Sequence, residues 1–586
     1  MVKQINKNIN HVAKLGRSSF DMTKDVKFTS SVGQLLPVYW DILSPNEKVK
    51  IGASMFTRTK PLASPAFVSI NEHVDYFFVP LRQLYRFFEN KFFDVNHYDT
   101  SLVGSLKRSI NLPTFNLLRI NAQFHSDYFH KNQEFYQLNN YGTPTWMDYL
   151  RLLDLFGLNY KPFYKQIVEG EFPAVPFVNE NNFFHVNAFP FLAYQKIYYD
   201  HYRITEFFED EPSVYNADSF ELDNFDSDNI DSFRLHYRPF HKDYFTNIKP
   251  QPLIDTINSL GLQFSLKDYD GQIGLNNYQV FNPSYNDSGS PLYYPVAGQA
   301  AAAHKSEDPQ SISASVMRAA FAYDKLLQIT HFAPNDVDAQ ITAHFGFKVP
   351  QGVDGRVVYL GSDDSRIDVG EVASTSDTLS SDGAQGAQLG ALAGKGAGYR
   401  EGKATHEFTA PVHGILMAIY SSEPTCDYAP AFDKLLQYTD VNNYYRPEFE
   451  NLGMQPLYAS ELTGFELDSD EELPTSNFVL GFQYRWSELK QKYSTIHGDF
   501  LDTLPDWVIN RNRTSNVFGS IGFRWLYVSP CTLDSITETN FAPSMPPYDG
   551  AITWDDTVFT RDPLMHWFTI HCYKTSTMSM YDLPQL

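Results

Sequence analysis

The sequence predicts a mainly β protein of antiparallel strands, a sandwich or jelly roll with long insertions. Three observations point there. The first is Ala66–Arg82, AFVSINEHVDYFFVPLR, which alternates with a period of two. Val68, Ile70, Glu72, Val74, Tyr76 and Phe78 share one parity; Ser69, Asn71, His73 and Asp75 share the other. A strand puts these sets on opposite faces, so the apolar face needs a second layer to cover it. The second is the aromatic content, 47 Phe and 37 Tyr, residue types that suit pleated, half-buried surfaces. The third is a series of short aromatic segments between turn signals: Ile415–Tyr420, Phe478–Trp486, Ile521–Val528 and Trp567–Tyr573. That rhythm fits a sandwich or jelly roll better than a parallel sheet.

Taken in order, residues 1–20 read as a basic arm: Lys3, Lys7, Lys14 and Arg17 occur with no acid before Asp21. Residues 21–586 read as one core with large insertions, since no Gly/Ser-rich or Pro-rich linker divides them. Pro80 cannot donate to a ladder and ends the Ala66–Arg82 strand. Leu81, Leu84, Tyr85, Phe88 and Phe92 then fall at helical spacing over Leu81–Phe92. A second helix follows Pro190, with Phe191, Tyr194, Ile197, Tyr198 and Tyr202 on one face. A third spans Val316–Leu327, with Ser313 or Ser315 as its cap. Between Arg203 and Arg234 there is no Lys or Arg, and ten acids from Glu206 to Asp231 fill the gap. Such a run belongs in water, and the aromatics within it predict an exposed excursion with some packing of its own. Asn276–Ser306 reads as loop, and Gly383–Tyr399 as a low-complexity patch.

The net charge of −23 is opposite to that of a bulk nucleic-acid binder, so any such contact must be local. Some of the rings could stack on bases, although most belong to cores and seams. Cys426, Cys531 and Cys572 lack metal spacing and suggest a reducing compartment. No apolar run approaches a membrane span, and no signal core opens the sequence. Gly390–Gly396 imitates a phosphate loop but has three residues between Gly390 and Gly394 and Gly396 after Lys395. The Walker pattern needs four, then a hydroxyl for magnesium, so a flexible loop is expected. His406-Glu407 with His413 fails the zinc spacing. Asp268 with Asp270, and Asp468 with Asp470, offer carboxylates to a structural divalent cation such as calcium, without the full loop pattern. No nucleophile motif or carboxylate pair stands out. The residues therefore favour a protein that works through its surfaces, not an enzyme. A carbohydrate-binding β-sandwich surface protein is the rival reading; a metal-dependent hydrolase lacks a ligand set.

Several blocks, in order, resemble the major capsid protein of the Microviridae, the small single-stranded DNA phages, in its gokushovirus-like branch and relatives from gut bacteria. Phe20-Asp21-Met22, Leu36-Pro37, Arg58, Pro61 and Pro65 resemble the family's N-terminal segment. Tyr76, Phe77, Phe78, Pro80 and Arg82 match its "FFVPxR" strand end, and Tyr194 to Arg203 its "AYxxIxNxxxR" helix. Asp243-Tyr244-Phe245-Thr246 resembles "DYFT", and Met317–Phe321 resembles "LRxAF". His344 and Gly346 match "HFG", and Gly361 matches "YLGG" with Ser362 in place of the second Gly. Leu389–Gly396, Pro447–Phe449, Leu452-Gly453 and Gly481–Tyr484 follow, and Pro584 closes the set in "LPxL".

The resemblance implies an eight-stranded antiparallel viral jelly roll in two facing sheets, and a virion capsid of sixty copies. It implies a T=1 icosahedral shell around circular single-stranded DNA, assembled in the bacterial host cytoplasm. It further implies a small basic DNA-binding protein and a DNA pilot protein as partners, a host surface receptor, and no membrane insertion. An insertion building a surface protrusion is expected within residues 204–306.

Overall fold

The computed structural model describes residues 16–60, 62, 64–92, 112–116, 146–158, 185–208, 215, 230–251, 284–285, 291–292, 314–334, 337–348, 356–373, 392–449, 453–463, 479–511, 526–528 and 562–578. The ten strands of its main sheet are β1 (Ser18–Asp21), β2 (Lys24–Ser30), β3 (Leu36–Leu43), β4 (Lys48–Thr59), β5 (Ser69–Pro80), β6 (Val358–Ala373), β7 (Leu392–Arg400), β8 (His406–Thr409), β9 (Gly414–Pro424) and β10 (Leu564–Ser576). The order is β1-β10-β4-β7-β6-β5-β9-β3; β2 also lies on β10, and β8 on β4. Every pairing among them is antiparallel.

That order is a jelly roll. One half is β2-β10-β4-β7 and the other β3-β9-β5-β6, joined where β6 pairs with β7. The sheet curls so that the halves face each other. Thr57 on β4 donates to Glu72 on β5 at 2.6 Å, and the amide of Ala53 on β4 donates to Asp363 on β6 at 2.9 Å. Phe28 on β2 and Tyr420 on β9 pack edge to face with centroids 5.3 Å apart. Val49, Ile51, Met55, Val74, Tyr76, Phe78, Leu416, Ala418, Tyr420, Phe568 and Ile570 fill one core between the layers. β10 carries the alternation most cleanly: Phe568, Ile570 and Cys572 are fully buried, while Met565, Trp567 and Tyr573 are exposed.

The expected central strand forms as Ser69–Pro80, ending at its proline. Its second parity is polar but not wet. Asp75 is buried because the helix Phe189–Ile197, continued by the π turn Tyr198–Tyr202, covers that face. Tyr202 donates its hydroxyl to Asp75 Oδ2 at 2.6 Å, and Arg238 Nη1 reaches the same oxygen at 3.2 Å. Tyr194 donates to the Leu35 carbonyl at 2.9 Å and accepts from the His236 amide at 2.9 Å. Phe156, just beyond the helix Trp146–Leu155, packs against Trp40 on β3.

Three expectations change. Leu81–Phe92 is two short helices, Leu81–Leu84 and Phe88–Phe92, because the chain is extended at Tyr85. Phe478–Trp486 yields a strand, Val479–Tyr484, but it pairs with Met454–Tyr458 outside the main sheet. The glycine patch read as a flexible loop contains β7 from Leu392 onward. A side chain at Gly394 would lie 2.0 Å from the Ser64 carbonyl oxygen, and one at Gly396 2.6 Å from Thr59 Cγ2. Glycine is here the means by which three backbones come together. Of Ile521–Val528 only 526–528 are described.

Residues Leu253–Phe347 form a separate compact unit. Its described parts are a two-stranded hairpin, Ser284–Tyr285 with Pro291–Leu292, and the helices Ala314–Phe332 and Val337–Phe345. The expected third helix thus runs beyond both its ends. No helix among the described residues is long and apolar enough to cross a membrane.

Candidate functional site

The family-like residues within the main unit serve as joints of the scaffold. Inside the barrel Tyr76 donates its hydroxyl to Asp363 Oδ2 at 2.8 Å, and Arg400 Nη2 donates to Asp363 Oδ1 at 2.8 Å. Asp363 thereby ties β4, β5, β6 and β7 together. Phe77 faces the covering helix and packs on His201 and Tyr359. Phe78 points inward against Phe408 of β8. Pro80 caps the short helix in which Arg82 is exposed. Arg203 ends the covering helix by donating from Nη1 to the Phe208 carbonyl at 2.9 Å.

Asp243-Tyr244-Phe245-Thr246 closes a turn on itself. Asp243 Oδ1 accepts from the amides of Phe245 and Thr246 at 2.9 and 2.8 Å and from the Thr246 hydroxyl at 2.9 Å. Oδ2 accepts from Tyr428. Tyr244 donates to Glu461 at 3.0 Å, and Phe245 packs between Tyr428 and Tyr493. An aspartate that satisfies its own turn is a well-known local device; here it seats a second, smaller core.

Two glycines have backbone reasons. Gly361 has φ +141° at a bulge in β6, and a side chain there would meet the His406 ring at 2.3 Å. Gly346 has φ +72° and ends the helix Val337–Phe345, its amide bonding to the Thr342 carbonyl at 2.9 Å. His344 of that helix meets the Thr330 hydroxyl at 3.0 Å. Gly453 has φ +109° just before the strand Met454–Tyr458.

Other expected site residues fall elsewhere. Arg17 is exposed immediately before β1; Lys3, Lys7 and Lys14 lie outside the described residues. So do Asp268, Asp270, Asp468, Asp470 and Pro584, and most of residues 204–306. Among the described residues no group of three or more His, Cys, Asp or Glu is placed to hold a metal ion. Asp363, Arg400, Glu401, Gly402, Lys403 and Thr405 line an open cavity of about 340 Å³. Both charges deepest in it, Asp363 and Arg400, are already paired with each other.

The two sheets differ on their outer faces. The β3-β9-β5-β6 layer is largely roofed by helices. The β2-β10-β4-β7 layer instead presents a row across four strands: Lys27 is opposite Trp567, Trp567 opposite Phe56, and Phe56 opposite Tyr399. Sequence reasoning missed this row. Its signal was the odd parity of Met565, Trp567 and Tyr573, visible only once the strand register is known.

Comparison with known proteins agrees with this architecture. The chain matches the phage capsid family described as "Capsid protein (F protein)" over residues 9–103 and 167–514, well over half its length. It is also 26% identical over 185 residues to "Capsid protein VP1" of Chlamydia phage 1, a match spanning 29% of this chain and 29% of that relative.

Proposed function

Because the chain belongs to this phage capsid protein family, we propose that sixty copies assemble into a closed T=1 icosahedral shell around circular single-stranded DNA. The observation that carries the reading is the combination of the family match with the jelly-roll strand order. A closed barrel has few bare edges and holds its loops rigidly, which suits a tile that must meet its neighbours at fixed angles. Association about five-, three- and twofold axes reuses one set of surfaces on every copy. Each contact can be weak because many close the shell together. We assign the chain no catalysis.

Charge opposes closure, since every copy carries −23. Salt screens exposed charges beyond about 8–10 Å, so shells should tolerate high ionic strength. The basic residues Lys3, Lys7, Lys14 and Arg17 are assigned to the inner face, against DNA. A small basic protein and a pilot protein would complete the particle. Residues 204–306, overlapping the separate unit Leu253–Phe347, are assigned to a surface insertion for host attachment. Electron microscopy of the purified protein tests the reading. Closed shells of uniform size are expected; discrete monomers at high concentration and salt would overturn it.

A further inference from the structure

We propose that the outer face of the β2-β10-β4-β7 layer is a stacking platform for single-stranded nucleic acid, centred on Trp567. The inference rests on the shell reading for its biological setting, but its argument is local. Trp567 is 51% exposed and Tyr399 is 70% exposed. Phe56 lies between them in register, its ring 6.4 Å from that of Tyr399 in an edge-to-face arrangement. Four strands at ~4.8 Å spacing make this row ~14 Å long. Cations are seated on it: Lys27 Nζ is 5.2 Å from the Trp567 ring, and the Arg58 guanidinium is 4.9 Å from the Phe56 ring.

Exposed rings cost free energy in water, and Trp567 and Tyr399, with the half-buried Phe56 between them, form a patch that calls for an occupant. Rings flanked by cations are what a strand of bases and phosphates requires, since every base has a face to stack and every linkage a charge to neutralise. The acids Glu407 and Asp25 on this face have partners of their own. Glu407 lies between Lys48 and Lys50, with Lys50 Nζ 3.1 Å away, and Asp25 accepts from the Thr569 hydroxyl at 2.6 Å. Charge favours a polyanion over a sugar or a second copy, since Lys27 and Arg58 both sit on the rings.

The test uses the full chain and a fluorescein-labelled twenty-nucleotide oligo-dT, with binding read by anisotropy and by tryptophan quenching. W567A and Y399A are each expected to weaken binding roughly five- to a hundredfold, the range for loss of one stacked base. W567F should recover most of that loss. K27A should flatten the salt dependence by about one phosphate contact. Unchanged affinity in both alanine variants would overturn the platform. So would failure of W567A and W567F to form shells while oligonucleotide binding persists, which would make the face a seam between copies. Tryptophan quenching by soluble glycans but not by oligo-dT would also overturn it. Shell formation is scored separately by microscopy. Wild-type shells with Trp567-independent binding sink the platform alone; Trp567-dependent binding without shells sinks the shell reading alone.

Discussion

Glu72 Oε1 and His566 Nδ1 lie 3.6 Å apart between the two sheets, both fully buried. Thr57 and Tyr420 donate to the same Glu72 oxygen at 2.6 and 2.9 Å, and Thr57 also meets His566 at 2.9 Å. Burial pushes the Glu72 carboxyl up to about 7, against the pull of the Thr57 and Tyr420 hydrogen bonds. Burial, then the nearby Arg151 guanidinium, pushes His566 well below its ordinary range. The cluster is therefore most comfortable uncharged.

The sign of the pH effect follows. A carboxyl raised from 4.5 to about 7 on folding contributes fully below 4.5 and loses that contribution as pH rises through 7. Glu72→Gln keeps the acceptor oxygen and removes the charge. It should match wild type near pH 4.5 and exceed it by about 3 kcal/mol at pH 8. Urea unfolding at the two pH values checks this; an equal difference at both would reject it.

Lys574 is a second buried charge, and it is paired. Its ammonium lies 3.2 Å from both Asp41 and Glu47 and 2.9 Å from the Ile42 carbonyl oxygen. Lys574→Met leaves Glu47, which is 1% exposed, without its counter-ion. The expected loss is about 3–5 kcal/mol. Adding Glu47→Gln should restore much of it, and a double-mutant cycle in urea measures the coupling.

Gly394 exchanges backbone hydrogen bonds with Leu62 at 2.7 and 3.1 Å while Ser64 crosses above it. Gly394→Ala forces that crossing apart and should cost about 1–3 kcal/mol. Gly370→Ala on the adjacent strand meets nothing nearer than 3.8 Å and should be tolerated. Thermal unfolding of the two variants separates a close approach from a mere preference for glycine.

Removing Met1–Arg17 should lower DNA per shell more than it lowers shell yield, as read by absorbance ratio on gradient-purified particles. Equal DNA content would reject the assigned role of the arm. Removing Asp218–Asp231 should leave shells intact and alter host attachment; loss of assembly would count against the surface assignment.

The parts of the fold legible in the sequence were those where one chemistry dominates. Ser69–Pro80 announced itself through alternation and a terminal proline. Val358–Ala373 did not, because Asp363, Asp364 and Asp368 break its pattern, and Asp363 points inward to Tyr76. β7 was hidden for the opposite reason: glycine carries no facial pattern, and its purpose lies in strands more than three hundred positions away, such as the Gly396 amide bonding to Thr59. Asp75 read as a polar face and is polar, but Tyr202 and Arg238 supply its partners in place of water. Joints of the candidate site, such as Asp243, were visible as family-like words without visible purpose until their hydrogen bonds were in view.

Strand β10 lies between β2 and β4, and the Ser30–His566 hydrogen bond it brings spans 536 positions of sequence. At ribosomal speeds of ~5–20 residues per second, the early strands wait about half a minute to two minutes for their middle neighbour. During synthesis they present two open ladder edges whose backbone partners are still to come. A chain cut short before residue 564 lacks the strand that joins β2 to β4.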